Sequence, residues 1–451
     1  MTERELQIGI FGTFDVENYG DLLFPLIAET ELSRRLGPIR LQRFSYQRKT
    51  PPAWLYAVTS LTDLPAASNL DGVMIGGGHL IRFDKQVAPG YGPPVPAIHH
   101  PTGYWLTPAL IALQHGIPVV WNAPGVYGQV PAWADPLMEL AVGLSHYVAV
   151  RDEPSRQALT RFTGHAEIAV VPDTAFGVAQ LIEPQRPSPG FARLRRDLGL
   201  TGPYLVLQAT ACLRGFPRFL RSHAQLFGHY PVVLLPTGPI LCDSDTIFAD
   251  DLPGLVRLPT WPSPLLSAEL IGHAAAVVGT SLHLAITALA CGVPVFRPTA
   301  FLSGKYQILS GFSTAYHFAS EERIDARWFA SRLGRTKPVS AVNEALGRLA
   351  DHWDRIAEVF SSAGRNARPA ATTALGSFWQ SLPGVLETWA LRHAEAIDER
   401  DRALAAVDKR AAAPLRSLGR RLRPGYVKVT AGVYQAAPLR SLGRRLRQWP
   451  R

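Results

Sequence analysis

Residues 277–296, VVGTSLHLAITALACGVPVF, contain the pattern from which the fold can be deduced. The apolar start of this stretch is typical of a buried strand, and Gly279 follows it as a short loop. A helix then begins with Thr280 or Ser281 as its cap and ends at Gly292. Its leucine and isoleucine residues recur on one helical face, so the helix should pack against a sheet.

The first turn of this helix is a candidate ligand site. Thr280, Ser281 and His283 all lie there, where unpaired backbone N–H groups and the helix dipole favour an anion. An imidazole beside an anion site would suit a reaction in which phosphate departs. The same residues would also suit an ordinary capped helix whose histidine is satisfied by its neighbours.

Strands and helices alternate along most of the chain, which predicts parallel sheets with ligand-binding loops at the strand carboxyl ends. The predicted strands are 6–14, 72–75, 117–122, 147–150 and 168–171, and, after a proline-rich linker at 183–190, 204–208, 231–235, 274–278 and 294–296. The predicted helices include 22–36, 218–227, 341–361 and 386–410.

This pattern predicts two α/β Rossmann-like domains with a ligand cleft between them. The predicted divisions are an N-terminal domain at 1–185, a C-terminal domain at 191–340, a helical segment at 341–410 and a basic tail at 411–451. We assign the acceptor side of the cleft to the first domain and the donor side to the second.

Composition narrows the class of protein. With 451 residues, 47% of them hydrophobic, the chain can bury more than one core. The cysteines Cys212, Cys242 and Cys291 lack metal-type spacing, and we expect a reducing compartment. The N-terminal MTERELQIGIFGTF has charges and then an apolar run that is too short for the apolar region of a signal sequence, and no run reaches the roughly 18 apolar residues of a spanning helix. We therefore expect a cytoplasmic protein.

The net charge of +10 is concentrated at one end. Residues 411–451 carry ten Lys or Arg and no Asp or Glu, which leaves 46 − 10 = 36 basic residues against 36 acidic ones in the rest. Such a neutral body gives no electrostatic reason to expect nucleic acid. The tail repeats AAPLRSLGRRLR at 412–423 and 436–447. The leucines of each copy share one helical face, which suits an anionic membrane surface, although a solvated, disordered tail fits equally.

Polar and glycine residues follow several predicted strands. In the first half they are Asp15, Asn18, Asp21, Gly76, Gly77, Gly78 and His79. The glycines would let a ligand approach the backbone, but no P-loop lysine follows them. Arg151, directly after a buried strand, would pair with Asp173 or bind a carboxylate or phosphate of the substrate. We find no metal-binding motif.

Five segments in this order resemble the polysaccharide pyruvyl transferase family. They are GTFDVENYGDLLFPLIAETEL, VMIGGGHLIR, YVAVRDEPSRQAL, VVPDTAFGVA and GTSLHLAITALACGVPVF, spanning about residues 6–310. The resemblance implies two domains in a GT-B-like arrangement and phosphoenolpyruvate as donor. Such enzymes place a pyruvate ketal across two hydroxyls of a sugar and release phosphate, in exopolysaccharide biosynthesis. The acceptor would be a polysaccharide or its lipid-linked precursor, and no metal or organic cofactor is implied.

The resemblance also suggests roles for individual residues. His283 matches the family histidine near the donor, and Arg151 matches an arginine that contacts it. Many members have an arginine where this chain has Ser281. With His283 as acid or base, Arg151 holding the donor and Asp21 facing them, these three are the predicted catalytic residues. The predicted donor site comprises Arg151, Gly279, Thr280, Ser281, Leu282 and His283. The predicted acceptor site comprises Asp15, Asn18, Asp21, Gly76, Gly77, Gly78 and His79.

Two other classes of function share this architecture. A GT-B glycosyltransferase would bind a nucleotide sugar, and acidic residues for its ribose should then follow His283; none occurs before Cys291. A non-catalytic sugar-binding relative would have lost its donor site, and the serine at position 281 is the feature consistent with that.

The basic tail leads to a prediction about location. If the acceptor is lipid-linked, the tail would hold the enzyme peripherally at the inner face of the membrane. Deleting residues 411–451 should release the protein from anionic vesicles while sparing activity on a soluble sugar. Vesicle co-sedimentation measures this, and undiminished sedimentation of the truncated protein would contradict a membrane role.

Overall fold

The computed structural model describes residues 4–61, 63, 69–83, 101–163, 167–182, 186–248, 254–301, 303–336, 340–362, 395, 398, 399 and 402. The chain divides into two compact units, Met1–Leu382 and Pro383–Arg451. All the elements named below belong to the first unit. The predicted helix at 386–410, apart from four isolated positions, and the tail at 411–451 lie outside the described residues.

The first lobe is built on short, apolar parallel strands. Its elements are β1 (Leu6–Phe11), α1 (Tyr19–Leu36), β2 (Ile39–Ser45), β3 (Thr59–Ser60), β4 (Gly72–Ile75), β5 (Gly78–Ile81), α2 (Thr102–His115), β6 (Val119–Trp121), β7 (Pro124–Val126), α3 (Asp135–Leu144), β8 (Val148–Val150), α4 (Glu153–Leu159) and β9 (Ile168–Val170). A five-stranded parallel sheet has the order β3-β2-β1-β4-β6, and β5 pairs with β7 and β8 with β9.

The second lobe repeats this plan. Its elements are α5 (Pro189–Asp197), β10 (Leu205–Gln208), α6 (Phe216–Ser222), α7 (Ala224–Phe227), β11 (Val232–Leu235), β12 (Leu255–Val256), α8 (Pro264–Gly272), β13 (Ala276–Val278), α9 (Leu282–Ala290), β14 (Val295–Pro298), β15 (Ala315–Phe318), α10 (Ala326–Ala330) and α11 (Ser340–Ser361). The six-stranded sheet is parallel throughout, in the order β12-β11-β10-β13-β14-β15.

Both sheets reverse their winding direction at a central pair of strands. The pair is β1 and β4 in the first lobe and β10 and β13 in the second. In open parallel sheets, ligands bind in the crevice at the carboxyl ends of such a pair. The loops after these four strands are therefore the expected positions of the functional groups.

A single apolar core connects the two lobes. Helix α1 packs against α8 and α9 of the second lobe, and the buried Leu23 and Ile27 share one cluster with Leu284 and Ala285. Burying each large apolar side chain contributes about 1.5–3 kcal/mol. The relative position of the lobes is thus fixed by core packing as well as by chain connectivity.

Helix α11 returns from the second lobe to the first and is held there by a buried histidine. His352 Nε2 lies 3.0 Å from Asn122 Oδ1, and its Nδ1 lies 3.0 Å from the Tyr147 hydroxyl. Burial lowers the pKa of His352 to about 3, so the ring is neutral. Nε2–H therefore donates to Asn122, and the Tyr147 hydroxyl donates to Nδ1.

Predicted and observed boundaries differ where tertiary contacts intervene. The helix predicted at 22–36 begins at Tyr19, whose N–H donates to Thr237 O across the lobes. The helix predicted at 218–227 is split at His223. The Nδ1 atom of that ring lies 2.9 Å from Phe219 O, the carbonyl that would accept from the His223 N–H in a continuous helix. Among the described residues, no helix is both long and apolar enough to cross a membrane.

Candidate functional site

A cleft of about 410 Å3 opens between the lobes at the carboxyl edges of both sheets. Residues of the first lobe that line it include Asn18, Asp21, His79, Arg82 and Arg151. Those of the second lobe include Gln208, Asp243, Thr280, Ser281, Leu282, His283, Lys305 and Tyr306. The structure thus brings together most of the predicted donor site and part of the predicted acceptor site.

The turn between β13 and α9 differs from the sequence prediction in one respect. The N–H groups of Thr280 and Ser281 were expected to be unpaired, but both donate to Gln208 Oε1, at 2.7 and 2.8 Å. Ser281 is the helix cap, and its Oγ accepts from Leu284 N–H at 3.4 Å. Among these described contacts, the N–H groups of Leu282 and His283 are the ones left for an anion.

A fully buried arginine lies behind the same turn. Arg297, with no exposed surface, donates to the carbonyls of Ser281 and Thr280 at 3.0 and 2.7 Å and faces the Tyr306 ring. Burial lowers the pKa of Arg297 to about 10, so the side chain remains a cation at neutral pH. It forms no ion pair with a described carboxylate. The positive charge therefore adds to the field of the α9 N-terminus.

Arg151, Asp173 and His283 meet at the wall of the cleft. Asp173 Oδ2 lies 3.5 Å from Arg151 Nη1 and 3.7 Å from His283 Nε2, distances of ion pairs and not of hydrogen bonds. Burial opposes ionisation of Asp173, but the neighbouring His283 and Arg151 outweigh it and hold the pKa of this carboxyl below its usual range. Asp173 Oδ2, His283 Nε2, and Nε and Nη2 of Arg151 are buried without a hydrogen bond. Buried polar atoms of this kind normally have a hydrogen-bond partner.

Helix α1 places His283 from the opposite lobe. The imidazole lies directly over Gly20, where an added Cβ would come within 1.6 Å of His283 Nδ1. Phe24 contacts the ring edge-on, with centroids 5.3 Å apart. These two residues leave the ring little freedom to change its position.

Asp21 reaches the cleft one residue after Gly20. Gly78, at φ +89°, faces it closely, since a Cβ there would lie 3.1 Å from Asp21 Oδ1. Burial raises the pKa of Asp21 to about 6, although His283 and Lys305 nearby favour its charged form. A carboxylate of that pKa can accept a proton near neutral pH.

Two further titratable groups line the cleft. Burial, together with Arg151, lowers the pKa of Lys305 to about 8, and this amine forms no ion pair with a described carboxylate. Burial and the same arginine lower the pKa of His79 to about 3, so that imidazole stays neutral. The cationic side chains of Arg82, Arg151 and Lys305 thus line the same cleft as His283.

Several predicted site residues lie behind the cleft surface. Asp15 is buried and accepts from Ser45 Oγ and Gln47 N–H at 2.6 and 2.7 Å. Gly76, Gly77 and Gly279 allow tight packing, because a Cβ at these positions would come within 2.8, 2.4 and 2.1 Å of neighbouring atoms. Direct ligand contact by these residues stays a prediction.

Gln208, Asp243 and Lys305 were missed by the sequence analysis. Gln208 is the last residue of β10, and a search for polar residues at strand ends would have found it. Lys305 lies in a 3-10 turn after β14, and no local pattern distinguishes it. Within the described residues, no group of three His, Cys, Asp or Glu side chains could hold a metal ion.

The sequence also matches the model of a known protein family. Residues 18–297, more than half of the chain, match the model of the family described as polysaccharide pyruvyl transferase. None of the curated proteins matches the chain in sequence.

Solved structures similar to this chain include UDP-GlcNAc 2-epimerases. UDP-GlcNAc 2-epimerase from Methanocaldococcus jannaschii is 12% identical, with TM-score 0.50 over 79% of this chain and 99% of its own. The corresponding enzyme from Rickettsia bellii is 12% identical (TM-score 0.47; 80% and 97% covered), and that from Neisseria meningitidis bound to UDP-GlcNAc is 10% identical (0.45; 83% and 99%). At such identity the first likeness shows the fold alone, and it confirms the predicted GT-B-like pair of α/β lobes.

The contact between Gly20 and His283 leads to a prediction with a matched control. Gly20→Ala should displace the imidazole and lower the free energy of unfolding by about 1–3 kcal/mol, the usual cost of overpacking. Gly347→Ala, in α11 with nothing within 4 Å of the new Cβ, should raise it by about 0.5–1 kcal/mol. Chemical denaturation measures both, and the His283 ring signal in NMR should move in the first variant only. Equal stability of the two variants would contradict the close approach.

Proposed function

The chain belongs to the polysaccharide pyruvyl transferase family and is thus a transferase acting on polysaccharides; we propose that its donor is phosphoenolpyruvate and its product a pyruvate ketal of a sugar. The main support is the cluster of Arg151, Lys305 and His283, with unpaired buried polar atoms at the cleft. Such a cluster needs a small ligand with several negative charges. Phosphoenolpyruvate, with a carboxylate and a phosphate, has this chemistry.

The cationic groups of the cleft would bind different anionic groups of the donor. A guanidinium binds a carboxylate or phosphate through two parallel N–H groups. Arg151 Nε and Nη2 form no hydrogen bond with the protein, although Nε lies 3.4 Å from Asp152 Oδ2. Lys305 and the N–H groups that begin α9 would hold the other anionic group. Arg297 supplies positive charge from behind the turn, in a family where many members carry an arginine at position 281.

The reaction joins one carbon of the donor to two hydroxyl oxygens. The methylene carbon takes up a proton, C2 develops oxocarbenium character, and one sugar hydroxyl forms a C–O bond to it. The bond from C2 to the phosphate oxygen then breaks, and the second hydroxyl forms the other C–O bond. One hydroxyl proton ends on the new methyl group and the other on phosphate, so atoms and charges balance.

We propose that His283 and Asp21 move these protons. Asp173 remains a carboxylate and lies 3.7 Å from His283 Nε2, and His283 would deliver the proton to the methylene carbon. Asp21 on the facing lobe would accept the hydroxyl proton. The neutral His79 lies on that side and can hydrogen-bond a sugar hydroxyl without competing for the proton.

We further propose a saccharide acceptor, including a lipid-linked one at the inner membrane face. The excess positive charge of the sequence lies in residues 411–451, which supports the membrane location.

The alternative of a nucleotide-sugar donor has less support at the 280–281 turn. The Gln208 carbonyl oxygen already occupies the N–H groups of Thr280 and Ser281, where a diphosphate would bind.

The donor can be identified by ligand stabilisation of the full chain. Phosphoenolpyruvate at a hundredfold excess over its Kd should stabilise the protein by about 2.7 kcal/mol, and Arg151→Ala should abolish this shift. UDP-N-acetylglucosamine should give none. A shift with the nucleotide sugar alone would assign the protein to the glycosyltransferases. Arg156→Ala, an exposed arginine of α4, serves as the matched control and should behave as wild type.

The pKa of Asp21 predicts the pH dependence of turnover. A general base must be unprotonated, so kcat/KM should rise with pH through about 6, where this carboxyl ionises. Asp21→Asn should lower kcat by about 10²–10⁴-fold and remove that limb of the profile. Phosphate release measures the rate, and an unchanged acid limb in the variant would show that another group is the base.

A further inference from the structure

One glutamine side chain connects three loops of the donor side. Gln208 ends β10 and lies buried, with Oε1 accepting from Thr280 N–H, Ser281 N–H and Thr280 Oγ1 at 2.7, 2.8 and 3.2 Å. Its Nε2 donates to Asp243 Oδ2 at 2.9 Å. The side chain therefore links the turn before α9 to the loop after β11.

Asp243 holds the other end of this connection. Its Oδ2 also accepts from Thr237 N–H, Thr237 Oγ1 and Gly238 N–H at 3.1, 3.0 and 3.2 Å. The carbonyl of Thr237 accepts from Tyr19 N–H in the first lobe. A chain of hydrogen bonds thus runs from the donor turn to the start of α1, beside Gly20 and Asp21.

The Asp243 carboxylate determines the orientation of the Gln208 amide. An amide has one accepting and one donating end, and a carboxylate accepts only. Asp243 therefore requires the NH2 group of Gln208 to face it, which turns Oε1 toward the two backbone N–H groups. With the amide reversed, donors would face donors at Thr280 and Ser281.

We propose that Gln208, oriented by Asp243, is a positioning residue of the donor site. It fixes the 280–281 turn, on which Leu282 and His283 depend for their position, and it withdraws two N–H groups from ligand binding. An anionic donor must then bind further along α9, between His283, Lys305 and Arg151. This inference rests on the proposed function only in requiring an anionic donor.

Gln208→Glu tests the proposal because it converts the amide into a titrating group. The new carboxylate would lie about 3 Å from that of Asp243, so the pair would share one proton at low pH and repel when it is lost. Phosphoenolpyruvate binding to the variant should be about tenfold weaker than to wild type at about pH 8.5 and within about twofold of it at about pH 5.5. Gln225→Glu, on the exposed face of α7, makes the same charge change and should match wild type at both pH values.

A second variant guards against loss of folding. Asp243→Asn removes the charge that orients Gln208 but introduces no titrating pair, so its weakened binding should not recover at low pH. Unfolding midpoints are recorded for each protein. If Gln208→Glu is unfolded at about pH 8.5, the test depends on Asp243→Asn. Weaker phosphoenolpyruvate binding by an Asp243→Asn protein with the unfolding midpoint of wild type supports the proposal. Binding by that protein equal to wild type overturns it.

The outcomes separate this proposal from the choice of donor. Phosphoenolpyruvate binding that is equal in wild type and Gln208→Glu at both pH values would overturn the positioning role and leave the proposed function intact. If wild type binds UDP-N-acetylglucosamine alone, and Gln208→Glu binds it more weakly at the higher pH only, phosphoenolpyruvate would be overturned as the donor. The positioning role of Gln208 would then be supported. A wild type that binds neither of these nor inorganic phosphate would overturn both.

Discussion

The packing of α1 against α9 is the contact on which the rest of the site depends. It joins the two lobes through one apolar core and brings the imidazole of His283, from the second lobe, onto Gly20 of the first. Asp21, the next residue, is carried to the same point by the same helix. Acid and base candidates from different lobes are therefore placed by ordinary core packing, without needing a ligand to assemble them.

Charge is the second constraint on the site. Although residues 1–410 are neutral overall, Arg151, Lys305 and Arg297 lie around one turn. Lys305 and Arg297 form no ion pair with a described carboxylate. Burying unpaired cations is unfavourable unless something compensates for it. The carbonyls of Thr280 and Ser281 stabilise Arg297 in part, and an anionic donor would supply the remainder. Affinity for a highly charged small molecule is thus part of our proposal, and the buried charge that the fold leaves unpaired supports it.

Local sequence patterns were sufficient for the fold and for part of the site. Buried parallel strands such as 72–75 carry an apolar run whatever surrounds them, so β4 was predicted to the residue. Arg151 was predicted because it directly follows a buried strand, and His283 because it lies in the first turn of a helix; the structure places both at the cleft. The start of α1 at Tyr19 could not be predicted, because it depends on a hydrogen bond to Thr237 of the other lobe.

For the same reason, the sequence could not predict whether the N–H groups before α9 are hydrogen-bonded within the protein. From sequence alone, the N-terminus of a helix is predicted to be an anion site. Here, however, two of the N–H groups at this N-terminus donate to the side chain of Gln208, which lies 72 residues before Thr280. Whether a helix N-terminus is open depends on which loop lies beside it, and the sheet order decides that. In this sheet β10 neighbours β13, so the residue that ends one strand reaches the turn that follows the other. The candidate donor site therefore depends on strand order as much as on the helix that carries His283.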